Sequence, residues 1–163
     1  PAASFYAYET DYDDNFNFYY INYMTGGSIL SLSGLRSEPT KDQFMIGIYR
    51  PYGITCSNFK ADFTEGSSHT FIDSEYGLEN LVGMYFTFSD SDGKEWSSMD
   101  GANDKASQIS NAYCNITSSK ENNDPLASGE LIVTIEFKCA AYDKDGNKEI
   151  IEAIYHGPAI DCP

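Results

Sequence analysis

The chain has 163 residues, enough for a single domain spanning 1–163 with a sizeable core. Its net charge is −15, from 25 acidic and 10 basic residues, which argues against nucleic-acid binding and against attraction to an anionic membrane surface. No apolar run reaches the ~20 residues of a transmembrane helix, and an aromatic content of 15%, with 13 Tyr, argues against disorder.

Ala3–Glu9 reads as a first strand, followed by an acidic turn at Asp11, Asp13 and Asp14. Phe16–Met24 reads as a second strand with aromatics on both faces: Phe16, Phe18 and Tyr20 oppose Tyr19, Ile21 and Tyr23. Gly26 and Gly27 break it. Ser28–Leu35 alternates Leu and Ser as a third strand, and Gln43–Tyr49 is a fourth. Between Ser57 and Asn80 the pattern weakens, with short strands expected near Lys60–Phe63 and His69–Ile72. Leu81–Phe88 is a strong apolar strand, and Lys94–Ser98 returns from a turn at Asp90, Asp92 and Gly93. Ser107–Thr117 places Cys114 and Ile116 on one face and Asn115 on the other.

The strongest pattern is Ser128–Gly157. Leu131, Val133, Ile135, Phe137 and Cys139 recur with period two, Asp143–Asn147 supplies turn chemistry, and Glu149–Tyr155 returns. No stretch shows sustained helical periodicity. About eight to ten strands joined by short turns predict an all-β antiparallel sandwich or a closely related barrel.

Cys56, Cys114, Cys139 and Cys162 are scattered, without the spacing of a zinc site. They read as two disulfides in an exported chain. A short tail reaching at most ~17 Å would have to stretch fully to join Cys162 to Cys139, so that pairing and its companion Cys56–Cys114 are disfavoured. The other pairings stay open. The chain starts at Pro1 rather than Met, which reads as a leader removed or left out.

Asp143, Asp145 and Asn147 stand at alternate positions around Gly146 and are weak candidates for calcium, since D-x-D-G is also an ordinary β-turn. Apart from that weak candidate, no metal or other cofactor is expected. Asn115-Ile116-Thr117 is a glycosylation sequon. His69 follows Gly66-Ser67-Ser68 without a nucleophile elbow, and His156 ends an apolar strand. No residue is therefore assigned a catalytic role, and a small glycan-active enzyme using two carboxylates is the least favoured reading. Tyr52 and Trp96 lie in or beside turns where an aromatic face can stack on a sugar ring, which gives carbohydrate binding as an alternative. Phe16, Phe18 and Tyr20 belong to an aromatic segment without basic residues, and such a strand at a sheet edge invites pairing with another copy.

The closing hairpin resembles the last hairpin of small exported β-sandwich proteins of Bacteroidetes-type bacteria, many of them lipoproteins. The matching features are Ser128-Gly129, the alternating strand to Phe137, the turn Asp143–Asn147, Ile150-Ile151-Glu152 and Gly157. Thr25–Leu35 is similar to the same group. The resemblance implies a β-sandwich outside the cell or on its surface. The combined expectation is a non-catalytic, acidic, disulfide-containing structural or adhesive glycoprotein that forms a fibre or oligomer through edge strands.

Overall fold

The computed structural model describes residues 17–24, 27–35, 43–51, 56–72, 83–89, 92–99, 108–122 and 130–161. The first expected strand, Ala3–Glu9, the acidic turn, Phe16, Tyr52 and Cys162 lie outside them.

Among the described residues, nine strands and one short helix follow in the order β1 (Asn17–Met24), β2 (Gly27–Leu35), β3 (Gln43–Pro51), α1 (Cys56–Asp62), β4 (Ser68–His69), β5 (Gly83–Ser89), β6 (Glu95–Ser97), β7 (Tyr113–Glu121), β8 (Glu130–Tyr142) and β9 (Lys148–Asp161). The strands form one sheet in the order β1-β2-β3-β5-β6-β8-β7-β4, and β9 pairs with the other side of β8. All named pairings are antiparallel. The all-β antiparallel class expected from the alternation is what the chain adopts.

Two elements differ from the pattern-based expectation. Lys60–Phe63 is not a strand, because Cys56–Asp62 is helical. At seven residues the helix is too short to show a period of 3.6 over several turns. Tertiary packing holds it, with Phe63 fully buried just beyond its end. The second difference is length. β7 runs on through Ser118–Glu121, and β9 continues to Asp161. The β7 extension is polar and half-exposed, so its ladder shows no apolar alternation, while Gly157, Pro158 and Asp161 broke the pattern of the β9 extension although Ala159 is buried in the main core.

The alternation in β8 has a direct consequence. Leu131, Val133, Ile135, Phe137 and Cys139 are buried, while Ile132, Thr134, Glu136 and Lys138 are half-buried on the opposite face. The buried set meets Ile46 and Ile48 of β3, Met84, Phe86 and Phe88 of β5, Cys114 and Ile116 of β7, and Ile151, Ala153 and Tyr155 of β9 in one core. Phe137 anchors it, with its ring centroid 5.0 Å from Phe86 and 6.3 Å from Phe71. Both spacings suit tilted aromatic pairs.

β5 is covered on both faces, which explains its nearly unbroken apolar run. Tyr85 faces away from the main core and forms a second cluster with Ile72, beside Met45 and Met99. Gly47 of β3 lies opposite Tyr85, and a Cβ there would stand 2.4 Å from the tyrosine ring. Glycine at this position is therefore what allows the ring to lie flat across β3.

The edge of β5 facing β6 is assembled from three separate segments. Thr70 O accepts from Met84 N, and Ile72 N donates to Met84 O. The buried Ser98 accepts from Phe86 N through Oγ and donates its own N–H to Phe86 O. β6 then pairs with Thr87–Ser89. Between the stretches of β8 bonded to β7 and to β6, the side chain of Gln108 takes the place of a strand. Its Oε1 accepts from Ala140 N at 2.8 Å, and its Nε2 donates to Ala140 O and Ser98 O.

Candidate functional site: the sheet edges and the outer face

An antiparallel sheet offers two kinds of surface to a partner, its faces and its edges. The outer face of β7, β8 and β9 is built from cross-strand rows. Tyr113, Lys138 and Glu152 form one row, and Asn115, Glu136 and Ile154 the next. Glu152 accepts from Lys138 Nζ at 2.9 Å and from Tyr113 Oη at 3.1 Å. Those two donors hold its carboxyl below the usual range. Desolvation, together with the bond to Glu152 and its charge, pushes the Tyr113 hydroxyl up. Thr134 and His156 share a 2.8 Å hydrogen bond in a further row. This face is a set of mutually satisfied polar pairs with one exposed large apolar side chain, Ile154.

Asn115, the sequon residue, does lie on this outer face, with Cys114 and Ile116 buried on the other. Its side-chain oxygen accepts from Ser68 Oγ of β4 at 2.8 Å, and Thr117 is exposed.

The candidate calcium turn is organised by Asp143. One carboxylate oxygen accepts from the backbone N–H groups of Asp145 and Asn147, and the other from Asn147 Nδ2 and Lys94 Nζ. These donors hold the Asp143 carboxyl well below the usual carboxylate range, the Asn147 side chain contributing most. Gly146 takes φ 78° to close the loop. A cation needs oxygens at the points where these N–H groups stand, and Asn147 presents its amide nitrogen rather than its oxygen. The alternation of Asp143, Asp145 and Asn147 is thus the chemistry of a self-satisfied turn. Among the described residues no group of three or more His, Cys, Asp or Glu is placed to hold a metal ion.

Trp96 is half-buried in β6 against the core, and the Lys94 ammonium sits 4.0 Å from its ring centroid. Lys94 therefore joins the ring to Asp143, in contact with both. The carbohydrate reading treated Trp96 as a free platform, whereas the protein's own cation already occupies part of its face. Lys94 drew no notice in the sequence because its importance arises only once β6 is laid beside the β8–β9 turn.

Cys114 and Cys139 are free thiols, fully buried in the main core. They face each other diagonally, since Cys114 pairs with Phe137 rather than with Cys139. Diagonal neighbours stand ~7–8 Å apart at Cα, beyond the spacing that a disulfide usually bridges. Burial pushes the Cys114 thiol up to about 12, and burial next to Cys114 pushes Cys139 up as well. Their part in the expected disulfide set is not realised in this structure; both act as small apolar core residues.

The edges differ more than the faces do. β4 is two residues long and covers only the Cys114–Asn115 part of β7. Beyond it, β7 carries a register shift between Ile116 and Ser118 and ends in Lys120-Glu121. β9 carries Lys148, Glu149, Glu152, His156, Pro158 and Asp161, with a register shift opposite Leu131–Ile132. Short strands, bulges, prolines and charges are the devices that keep an edge from pairing with another chain. β1 has none of them. Its eight residues, Asn-Phe-Tyr-Tyr-Ile-Asn-Tyr-Met, include no charge, proline or glycine. It ends the path of strands, bonded to β2 from Asn17↔Gly34 to Met24↔Gly27. β1 and β9 also lie close to each other, and no ladder between the two occurs among the described residues. Phe18 and Tyr20 occupy alternate positions of this strand, on one face of it, opposite Ser33 and Ser31.

Comparison with family models, with curated proteins and with solved structures returns no match. Among the described residues no helix is long and apolar enough to cross a membrane.

Proposed function

We propose that this is a non-catalytic structural or adhesive protein of the cell surface or extracellular space, and that it self-associates through the edge of β1. The observation that carries the reading is the asymmetry of edge protection. The β4–β7 and β9 edges hold charges, bulges or a proline, and β1 holds only uncharged residues over its whole length. The net charge of −15 makes contact between two copies unfavourable over most of the surface, and β1 is a strand where no acidic side chains meet. The acidic composition and the resemblance of the closing hairpin to exported sandwich proteins support the location.

Sedimentation velocity at physiological salt tests the proposal. The wild-type chain is expected to associate as concentration rises. Tyr20→Lys and Ile21→Lys sit on opposite faces of β1, so one of them places its ammonium on whichever face is wet. That variant should remain folded by circular dichroism and sediment as a monomer. A wild-type chain that stays monomeric at high concentration would refute the proposal.

A further inference from the structure

We infer that Asn115 carries an N-linked glycan, which lies over the outer face of β8 toward Ile154. The inference rests on the surface or extracellular location proposed above, because the sugar donor is an oligosaccharide held on a lipid pyrophosphate at an export membrane. Asn115-Ile116-Thr117 is the one N-x-S/T sequon in the chain. A glycan is bulky and strongly solvated, so its asparagine must end on a wet face once the chain folds. β7 meets this requirement by parity. Cys114 and Ile116 are buried in the core, and Asn115 between them faces outward, half-exposed. Ser68, its partner in β4, is exposed, and so is Thr117. Ser68 Oγ donates to Asn115 Oδ1 at 2.8 Å, while Nδ2, the atom that bonds the sugar, has no hydrogen bond among the described residues. The sequon also falls where the ladder is irregular. Ile116 pairs with Ile135 and Ser118 with Thr134, which leaves Thr117 as the extra residue of a bulge.

The neighbours across the sheet suit a sugar chain. Asn115 pairs with Glu136, and Glu136 with Ile154, in a single cross-strand row. Ile154 is 43% exposed, the one exposed large apolar side chain among the described residues. It lies two strands from Asn115, about 10 Å at the usual strand spacing, within reach of the first few sugars. The apolar face of a pyranose ring covers Ile154, and a sugar hydroxyl donates to the Glu136 carboxylate on the way. In the transfer step a C–N bond forms between Asn115 Nδ2 and the anomeric carbon, and the anomeric C–O bond breaks. The lipid pyrophosphate leaves with that bond's electron pair, and one amide proton passes to a base of the transferase.

Peptide mass spectrometry of the native protein from its source tests this. The tryptic peptide 106–120 should carry a sugar mass that peptide-N-glycosidase removes, leaving Asp at position 115. Recovery of that peptide only in unmodified form from surface or extracellular material would overturn the glycan and leave the location standing. Recovery of an unmodified chain only from the cytosol would overturn both. Asn115→Gln and Thr117→Ala should each abolish the added mass, and Thr117→Ser should retain it, which separates loss of the acceptor from loss of the fold. A glycan that persists in Asn115→Gln would overturn the assignment. Removing the glycan from the folded protein should raise its binding of a hydrophobic dye, and Ile154→Ser should suppress that rise. An unchanged dye signal would overturn the covering of Ile154.

Discussion

The first hairpin, β1–β2, and the last, β8–β9, are built on the same plan and treat their outer edges in opposite ways. In β8–β9 the apolar face is buried among β3, β5 and β7, the outer face holds paired charges, and the edge strand carries Pro158 and a bulge. In β1–β2 the strand at the end of the sheet carries aromatic, aliphatic and amide residues and no charge. β1 carries no charged residue along its eight positions, whereas β9 carries several, and the last hairpin supplies much of the buried core.

The largest expected effect breaks the comparison directly. If copies join at the β1 edge, a lysine placed there must be desolvated in the contact and should raise the dissociation constant about a hundredfold, equivalent to about 2.7 kcal/mol. Ile154→Lys, on the exposed face of β9, should leave association unchanged in the same sedimentation assay. Equal effects from the two substitutions would erase the distinction between the hairpins.

The next effects concern how the closed half is held together. Gln108→Ala removes the side chain that pairs with Ala140 N and O, leaving backbone groups of a buried strand without partners. Chemical denaturation should show a loss of about 2–4 kcal/mol. Gly47→Ala forces Tyr85 off β3 and should cost about 1–3 kcal/mol. The double variant Gly47→Ala, Tyr85→Leu should recover part of that loss, because the clash is with the ring.

Acid gives a smaller and graded effect. Asp143 and Glu152 both have carboxyls held below their ordinary values by hydrogen bonds in the folded chain. A carboxyl depressed on folding stabilises above its unfolded pKa, near 4, and that stability fades as pH falls from there toward the folded value. The midpoint of thermal unfolding should therefore fall below pH 4, and less steeply in Asp143→Asn. The smallest effect is on thiol chemistry. Cys114 and Cys139 should resist alkylation in the native protein and react once it is unfolded, as buried, protonated thiols do.

Much of the fold was legible because half-buried strands announce themselves by parity. Leu131 to Cys139 fixed β8 and its buried face, and Gly146 marked the turn. Asn115 outward with Cys114 inward followed from the same rule. What was not legible depends on register or on length. α1 was hidden because seven residues hold too few turns to show a helical period. The roles of Gln108 and Lys94 arise from chain segments brought together only by the ladder. Asp143, Asp145 and Asn147 spelled a metal loop and a turn equally well in letters, and the donors gathered on the Asp143 carboxylate, from Asp145, Asn147 and Lys94, separate the two. The β1 edge was half-visible: its aromatic, uncharged character could be read directly, while its place at the end of the sheet could not.

Hydrogen–deuterium exchange followed as a function of protein concentration tests the central claim most directly. If β1 is the edge at which copies join, exchange of Asn17–Met24 should slow as concentration rises, while Lys148–Asp161 exchanges at the same rate throughout. Concentration-independent exchange in β1, or slowing confined to β9, would contradict it.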